Sequence, residues 1–358
     1  MAKKKENVKR ITSIGGSALI EGIMMRGPKK TYMAVRTAPD KIETEEIEFN
    51  SLGSKNKFFR LPLIRGIVGM ADSMRLSYKS LMRSADKQID AIDTGEESMS
   101  KFERWLNDKL GDKLMGIIMG IASVLGIALA LVLFFWLPTY LYDLLVTLVP
   151  ALSDFSVNLP YFGEVALSGA FRSAFEVIVK MLLFFGYIIA VSQMNDMKRV
   201  FMYHGAEHKT IFCYESDEEL TVENIRKHSR FHPRCGTSFL VIMLLLGFFI
   251  GLFVPDFTDF FSNLLSNPTT GKLVGSVVRS LVKILLLPLS VGIGYELIKL
   301  CGKYDNRFTR IIAAPGLWAQ RITTREPSDD MIEIAIAAVT PVIPDDGSDI
   351  VNDCKCGK

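Results

Sequence analysis

Apolar residues along this chain gather into long blocks. Four of those blocks reach the roughly 20 residues a helix needs to cross a bilayer. The first, Leu114–Pro138 (LMGIIMGIASVLGIALALVLFFWLP), carries no charge. The second runs from about Ala174 to Met194 with Lys180 inside it, and the third spans Gly236–Pro255. The fourth covers about Val277–Lys299, with Arg279 and Lys283 near its start. Four uncapped runs of this length predict four transmembrane helices rather than core helices of a large soluble domain. LYDLLVTLVPAL, in the loop from Thr139 to about Phe171, is too short to cross and is expected to lie at the membrane interface.

Ahead of the first block the periodicity changes. TYMAVRTAPDKIETEEIEF alternates β-branched and aromatic residues with polar ones around Pro39-Asp40, which predicts two strands and a turn. From Pro62 to Ser84 the period is helical: Leu63, Ile67, Met70, Met74, Tyr78 and Leu81 share one face, and Arg75, Lys79 and Arg83 make a basic stripe on another. Such a helix either lies on an anionic membrane surface or packs on the β element with its cations in water. DTGEESMS then reads as an acidic linker into KFERWLNDKL. The expected architecture is a mainly α membrane protein. A small cytoplasmic α+β region (1–113, with the amphipathic basic helix at 62–84) precedes a four-span membrane domain (114–300), and a cytoplasmic tail (301–358) follows. Within the tail, PGLWAQRITTREPSDDMIEIAIAAV predicts a polar turn and then an amphipathic or strand-like segment, with the last residues disordered. No internal repeat supports an inverted-repeat transporter.

Charge adds an orientation. Before Leu114 the chain is rich in Lys and Arg, whereas only Arg172 falls between the first two spans and only Lys272 between the last two. The loop joining spans two and three carries Lys198, Arg199, Lys209, Arg226, Lys227, Arg230 and Arg234, and the tail carries Lys303, Arg307, Arg310, Arg321 and Arg325. By the positive-inside bias, both termini and the loop at 195–236 face the cytoplasm. A mean hydropathy of +0.25 with 49% apolar residues agrees with a membrane class. The amino terminus has no apolar core with a cleavage site, so a secretory leader is not expected. All five cysteines fall on the expected cytoplasmic side, which favours thiol or metal roles over disulfides. The closing CKCGK is a soft-metal candidate, though two thiols on a polar tail are more commonly just a tail. Glycines at 15, 16, 22 and 27 lack the spacing of a phosphate-binding loop.

All four histidines lie in that one cytoplasmic loop. His204 and His208 are four apart, so on a helix both imidazoles face one point. Glu207 sits on the same side, and His-x-x-Glu-His matches the inverted zinc-protease pattern of two metal-binding histidines and a water-activating glutamate. His232 and Cys235, in FHPRCGTSF, have a spacing that lets a Pro233 turn present both to the same ion. The candidate metal ligands are therefore His204, His208, His232 and Cys235, with Glu207 as general base. Glu296, Asp196 and Glu215 are candidate outer or extra ligands. Cys213, Glu215 and His228 sit in a polar loop and read mainly as solvated. Among residues inside the spans, Glu176 is expected to pair with Arg279 and Lys283. Zinc is the expected ion, with manganese and iron as alternatives.

GGSALIEGIMMRGP, PLIRGIVGMADS, YHGAEHKTIFCYE, HPRCGTSF, GIGYELIK and PGLWAQRITTREP follow one another across nearly the whole chain. Together they resemble the YqhQ-like family of bacterial membrane proteins, although Ser17 stands where the family pattern has Gln. The resemblance implies a multi-pass protein of the bacterial inner membrane and a predicted metal-dependent enzyme. Its implied setting, among genes for translation factors, suggests the ribosome or the membrane-insertion machinery as a partner besides the lipid bilayer.

Two functions compete. In one, a metal-dependent hydrolase acts on a peptide or lipid at the membrane interface. In the other, a non-enzymatic biogenesis or ribosome-associated factor carries a structural zinc closed by four ligands. Metal or ion transport ranks third, and the sequence is silent on oligomeric state.

Overall fold

The structure is a computed structural model. It describes residues 10–92, 120–152, 156–159, 163–166, 168–255, 257–265, 267–304 and 306–353. The DTGEESMS linker with KFERWLNDKL, and the CKCGK tail with Cys354 and Cys356, lie outside those residues. The chain forms two compact units, one from Met1–Thr94, Tyr187–Ile242 and Val291–Lys358, the other from Gly95–Gly186 and Met243–Ser290. Helices dominate, and a small β region stands near the amino terminus.

In the first unit, β1 (Arg10–Thr12) pairs with the late strand β8 (Ile350–Asp353), so the carboxy-terminal segment expected to be disordered is strand up to Asp353. Four antiparallel strands follow as a meander: β2 (Gly15–Leu19), β3 (Gly22–Arg26), β4 (Thr31–Ala38) and β5 (Lys41–Glu46). The expected β4–β5 pair is present, whereas the hairpin in GGSALIEGIMMRGP carries no turn dipeptide or β-branched signature that would have marked it. Its turn runs through Glu21, whose φ is +52°.

Both faces of this sheet are covered. Ile23, Met25 and Ala34 join a cluster with Tyr203, Ala206 and Ile211 of α5 (Asn195–Glu215) and with Met331, Ile332 and Ala335 of α12 (Asp329–Val339). Met24, Met33 and Val35, one residue out of phase, point the other way and pack with Leu76 of α2 (Ile64–Ile92). The period-2 pleat thus sorts neighbouring methionines to opposite faces. The segment MIEIAIAAV, ambiguous by periodicity, is helix: Ser328 precedes it, and Asp329 and Asp330 fill the first turn, where a helix dipole favours acids.

The contact face of α2 is not its apolar stripe. Asp72, Leu76, Ser80 and Ser84, four apart, are buried, whereas Met74, Tyr78 and Leu81 are exposed. Small serines let the helix approach the strands closely, and Ser84 Oγ donates to the Ile20 carbonyl at 2.5 Å. The basic stripe is spent on the same contact: Arg83 meets Glu45 at 2.9 Å and Lys79 meets the Glu48 carbonyl at 2.8 Å.

Among the described residues, three helices are long and apolar enough to cross a membrane: α3 (Gly120–Leu148), α4 (Ser168–Val191) and α7 (Gly236–Phe253). LYDLLVTL is no separate interfacial piece but the end of α3, reached through a π-helical stretch at Val132–Trp136 just before Pro138. A π-turn is a common way to absorb a disturbed hydrogen-bond ladder. The fourth block is broken, with Thr269–Leu285 and Leu287–Cys301 bent by 43°. Pro288, just past the break, has no N–H to continue the ladder.

Within the second unit, Glu176 of α4 pairs with Lys283 and approaches Arg279 Nε at 3.7 Å and Arg172 Nε at 3.4 Å. Lys283 also donates to Thr139 at 3.0 Å, and Arg172 bonds Asp143 at 2.7 Å. All four basic side chains here, Lys180 included, are buried. Among apolar helices, ionisable groups persist when they pair in this way.

Candidate metal centre

The site is built on α5, which from Tyr203 to Glu215 is buried almost all round. Gly205 makes one of those contacts possible, because a Cβ there would sit 2.0 Å from the Arg325 carbonyl oxygen. The segment ending α11 (Arg307–Thr323) therefore crosses directly over the helix, and Arg325 N donates to the Phe201 carbonyl at 2.8 Å.

His204 and His208 project side by side from successive turns, with ring centroids 4.4 Å apart. Each is oriented through Nδ1 against a backbone carbonyl, His204 on Thr323 at 2.9 Å and His208 on Arg230 at 2.6 Å. A carbonyl only accepts, so both Nδ1 atoms carry their hydrogens and both Nε2 atoms are left to face the site. His204 Nε2 lies 3.2 Å from Cys235 Sγ. His204, His208 and Cys235 each offer one donor atom, all within 4.8 Å of one another.

Cys235 immediately precedes α7, and its sulfur accepts the Thr237 N–H at 3.4 Å, as a thiolate at a helix start should. Gln320, fully buried, clamps the HPRC turn: it accepts from His232 N at 2.7 Å and donates to the His232 carbonyl at 2.6 Å and to Ser238 Oγ at 3.0 Å. Gly316, one turn away, lets α11 lie against Ser238, since a Cβ there would come within 2.6 Å of its backbone.

The electrostatics describe a thiolate–imidazolium pair, so an ion held by His204 Nε2 would have to displace a proton. Burial works against the Cys235 thiolate, but the adjacent His204 and His208 pull its pKa well below the ordinary thiol value. Burial likewise opposes a charged His204, yet the facing thiolate and Glu207 carry it up to about 9. Glu207 is pushed above the usual carboxylate range by burial, with the two histidines pulling partly back. One of its oxygens accepts the Gly16 N–H of β2 at 3.0 Å. Gly16 serves close approach, because a Cβ there would meet the Met24 carbonyl oxygen at 2.6 Å and Glu207 Cγ at 3.0 Å.

The donor chemistry fits a borderline divalent ion: two imidazole Nε2 atoms with their Nδ1–H groups on carbonyls, and one thiolate. Of the four ligands expected from sequence, His204, His208 and Cys235 converge and His232 is turned aside. Its ring lies 5.6 Å from that of His208, its Nδ1 accepts from Arg234 N at 3.3 Å, and its Nε2 faces Glu215 at 3.5 Å. Burial lowers its pKa to about 4 despite that carboxylate, so the ring is neutral.

Glu215 is held by the Thr12 N–H of β1 at 2.9 Å and by Arg234, on the far side of His232 from the cluster. Asp196 is exposed in the first turn of α5, and Glu296 is engaged by Arg65 at 2.7 and 2.5 Å. None of these three carboxylates joins the cluster. Cys213 and Glu215, expected to be solvated, are buried. Cys213 lies with Glu218 and His228 in a second compact donor group, but burial pushes its thiol up to about 11 and its sulfur faces the Glu219 carbonyl at 3.5 Å.

Sequence reasoning assigned no role to Gly16, Gln320, Thr323 or Arg230. Only Gln320 leaves a residue-type clue, as a polar residue inside the block PGLWAQRITTREP.

A family model for a protein of unknown function, DUF1385, matches residues 61–345. The chain is also 29% identical over 330 residues, 92% of each chain, to the uncharacterized protein YqhQ of Bacillus subtilis (strain 168). No solved structure matches it. The matched span takes in α2, the apolar helices and every residue of the His/Cys cluster, and the chain belongs to the DUF1385 family.

Proposed function

We propose that this chain is an integral membrane protein of the bacterial inner membrane with a cytoplasmic-face metal centre, and that the centre is hydrolytic. The observation that carries the reading is the pair of imidazoles fixed through Nδ1 on the Thr323 and Arg230 carbonyls, with Nε2 turned toward a thiolate. His204, His208 and Cys235 would hold the ion, zinc by the chemistry of the set, with manganese or iron as alternatives. When bound, such an ion supplies Lewis acidity toward a water or carbonyl oxygen.

The chain's own residues supply the rest. The Thr323 and Arg230 carbonyls keep both rings in one tautomer and one orientation. Glu207 is suited to hold and pass a proton: burial raises its affinity for one, and Gly16 fixes one oxygen while the other remains for the transfer. Three donors rather than four favour catalysis, because an open position is what distinguishes catalytic from structural zinc. The orientation of His232 toward Glu215 supports that count and weighs against a structural zinc in a biogenesis or ribosome-associated factor.

Membrane placement is supported by three apolar helices and the bent pair among the described residues, and the Lys and Arg asymmetry favours an orientation with both termini inside. Cys235 immediately precedes α7 and α5 follows α4 almost directly, so the site adjoins the ends of two candidate spans. The substrate class we infer is a peptide or lipid reached from the cytoplasmic leaflet.

The test is metal content together with complementation of a strain lacking the gene. Glu207→Gln is expected to keep the metal and lose complementation, since the amide retains shape without the base. A Glu207→Gln strain that grows as wild type ends the hydrolase reading. Full metal retention in His204→Ala/His208→Ala removes the centre itself.

A further inference from the structure

We propose that a cavity at the start of α2 binds the phosphate of an anionic phospholipid. Its volume is about 300 Å³, and Arg26, Arg60, Arg65, Ser51, Gly53 and Asp72 are among the residues that line it. Three guanidinium groups thus meet one carboxylate, and that carboxylate is already satisfied. Asp72 accepts from Ser51 Oγ at 2.6 Å and from Leu52 N at 3.0 Å. Arg65 is committed to Glu296. The other two are not neutralised: Arg26 lies over the Phe49 ring at 5.2 Å, and Arg60 Nε reaches the Gly53 carbonyl at 3.4 Å. Neither has a carboxylate partner among the described residues. Arginine forks on a concave surface match the bidentate geometry of a phosphate.

The surroundings single out a lipid as the phosphate's source. Gly66 of α2 lies so close to Tyr295 that a Cβ would meet its side chain at 2.7 Å, and Gly292 meets the Leu63 carbonyl at 2.8 Å. Tyr295 and Gly292 belong to the Leu287–Cys301 arm of the bent candidate span. The start of α2 therefore packs on that arm, and the membrane placement proposed above puts the cavity near headgroup depth. Leu63 takes a φ of +68°, a conformation leucine rarely adopts, where the chain turns into α2. Around that turn Phe58, Leu61 and Leu63 are 55%, 48% and 37% exposed, and the outward stripe of α2 continues the apolar surface with Met74 and Tyr78. Apolar side chains beside a cationic cavity are what an interfacial lipid site presents: acyl chains on one, phosphate in the other. This inference rests on the membrane placement proposed above and is independent of the metal centre.

The experiment uses the full chain, delipidated in detergent, with retained lipid counted by native mass spectrometry. The probes are phosphatidylglycerol, phosphatidylcholine and inorganic phosphate. Wild type is expected to retain phosphatidylglycerol over phosphatidylcholine, and Arg26→Gln/Arg60→Gln to weaken that retention about tenfold or more, the loss of two charge-assisted contacts. Arg83→Gln, whose guanidinium meets Glu45 and does not line the cavity, should retain lipid as wild type does. An unchanged melting temperature certifies the fold of each variant, and the exposed Arg60→Gln alone serves if the double variant misfolds. Equal retention of the two lipids, or wild-type retention in the Arg60 and double variants, overturns the proposal. Displacement of the lipid by inorganic phosphate at matched concentration shows a free-phosphate site and overturns it too. Loss of the protein from membranes in an alkaline carbonate wash would fail the membrane placement separately.

Discussion

Gly205→Ala tests the geometry that orients the first histidine of the cluster. The added methyl would stand 2.0 Å from the Arg325 carbonyl oxygen and 3.2 Å from its carbonyl carbon. Both are backbone atoms, so no side-chain rotation relieves the overlap, and one chain segment must retreat by about 1 Å to restore ordinary contact. That segment is pinned. Arg325 N donates to the Phe201 carbonyl, Thr324 N donates to the Gln320 carbonyl, and Arg325 Nη2 holds the Ser192 carbonyl at 3.0 Å. Overpacking of a tight contact costs about 1–3 kcal/mol. Losing the Phe201 hydrogen bond adds about 1 kcal/mol, so a loss of about 2–4 kcal/mol is expected. Thr323, two residues away, carries the carbonyl that fixes His204 Nδ1. Metal affinity should therefore fall along with stability. The assay is thermal unfolding and metal content of the purified variant, beside Gly247→Ala as a control. Nothing lies within 4 Å of a Cβ at Gly247, and helix propensity alone would favour that alanine by up to about 1 kcal/mol. A Gly205→Ala protein with wild-type melting and full metal would refute the crossing of the Arg325 segment over α5.

Two further outcomes are expected. His232 is buried and neutral with a pKa near 4 against an ordinary 6.5; its contribution is present above pH 6.5 and is lost as pH falls toward 4, because the unfolded chain takes up the proton first. Between pH 7 and pH 5 this amounts to about 2 kcal/mol, read by denaturant unfolding at the two pH values, and His232→Gln should flatten the difference; an unchanged slope in that variant would rule out His232 as its source. For orientation, a membrane-impermeant thiol reagent applied outside intact cells should label Lys272→Cys and spare Lys227→Cys, both positions being exposed while Cys213 and Cys235 are buried; the reverse pattern would invert the topology.

What could be read from the sequence divides according to whether the signal is local. The three apolar helices were legible because contiguous apolarity needs no partner to interpret it. The break in the fourth block had a local cause in Pro288, but a proline inside an apolar run reads equally well as a tolerated kink. The contact face of α2 is hidden from the sequence for a different reason. Periodicity weighs hydrophobicity, yet close helix–sheet approach selected Ser80 and Ser84, and the apolar stripe was left outside. The β2–β3 hairpin escaped because Gly16 and Gly22 are there to admit neighbours, Glu207 and Val35, that the local sequence does not announce.

The cluster shows the same division at finer grain. The four-residue spacing of His204 and His208 is a helix property, so their convergence could be expected. The convergence of Cys235 depended on a turn and a helix start, both marked by Pro233 and Gly236. The direction of His232 depended on Glu215, Arg234 and a strand near residue 12, and a local pattern contains none of that. Least visible of all were the carbonyls of Thr323 and Arg230, since every residue carries a carbonyl and no side chain records its use. Those two acceptors nevertheless decide which nitrogen each imidazole presents, and hence whether the histidines face a metal as donors or merely stack as core rings. A substitution that preserved every side chain of the cluster but moved the backbone at residue 323 would destroy the donor set as surely as removing a histidine.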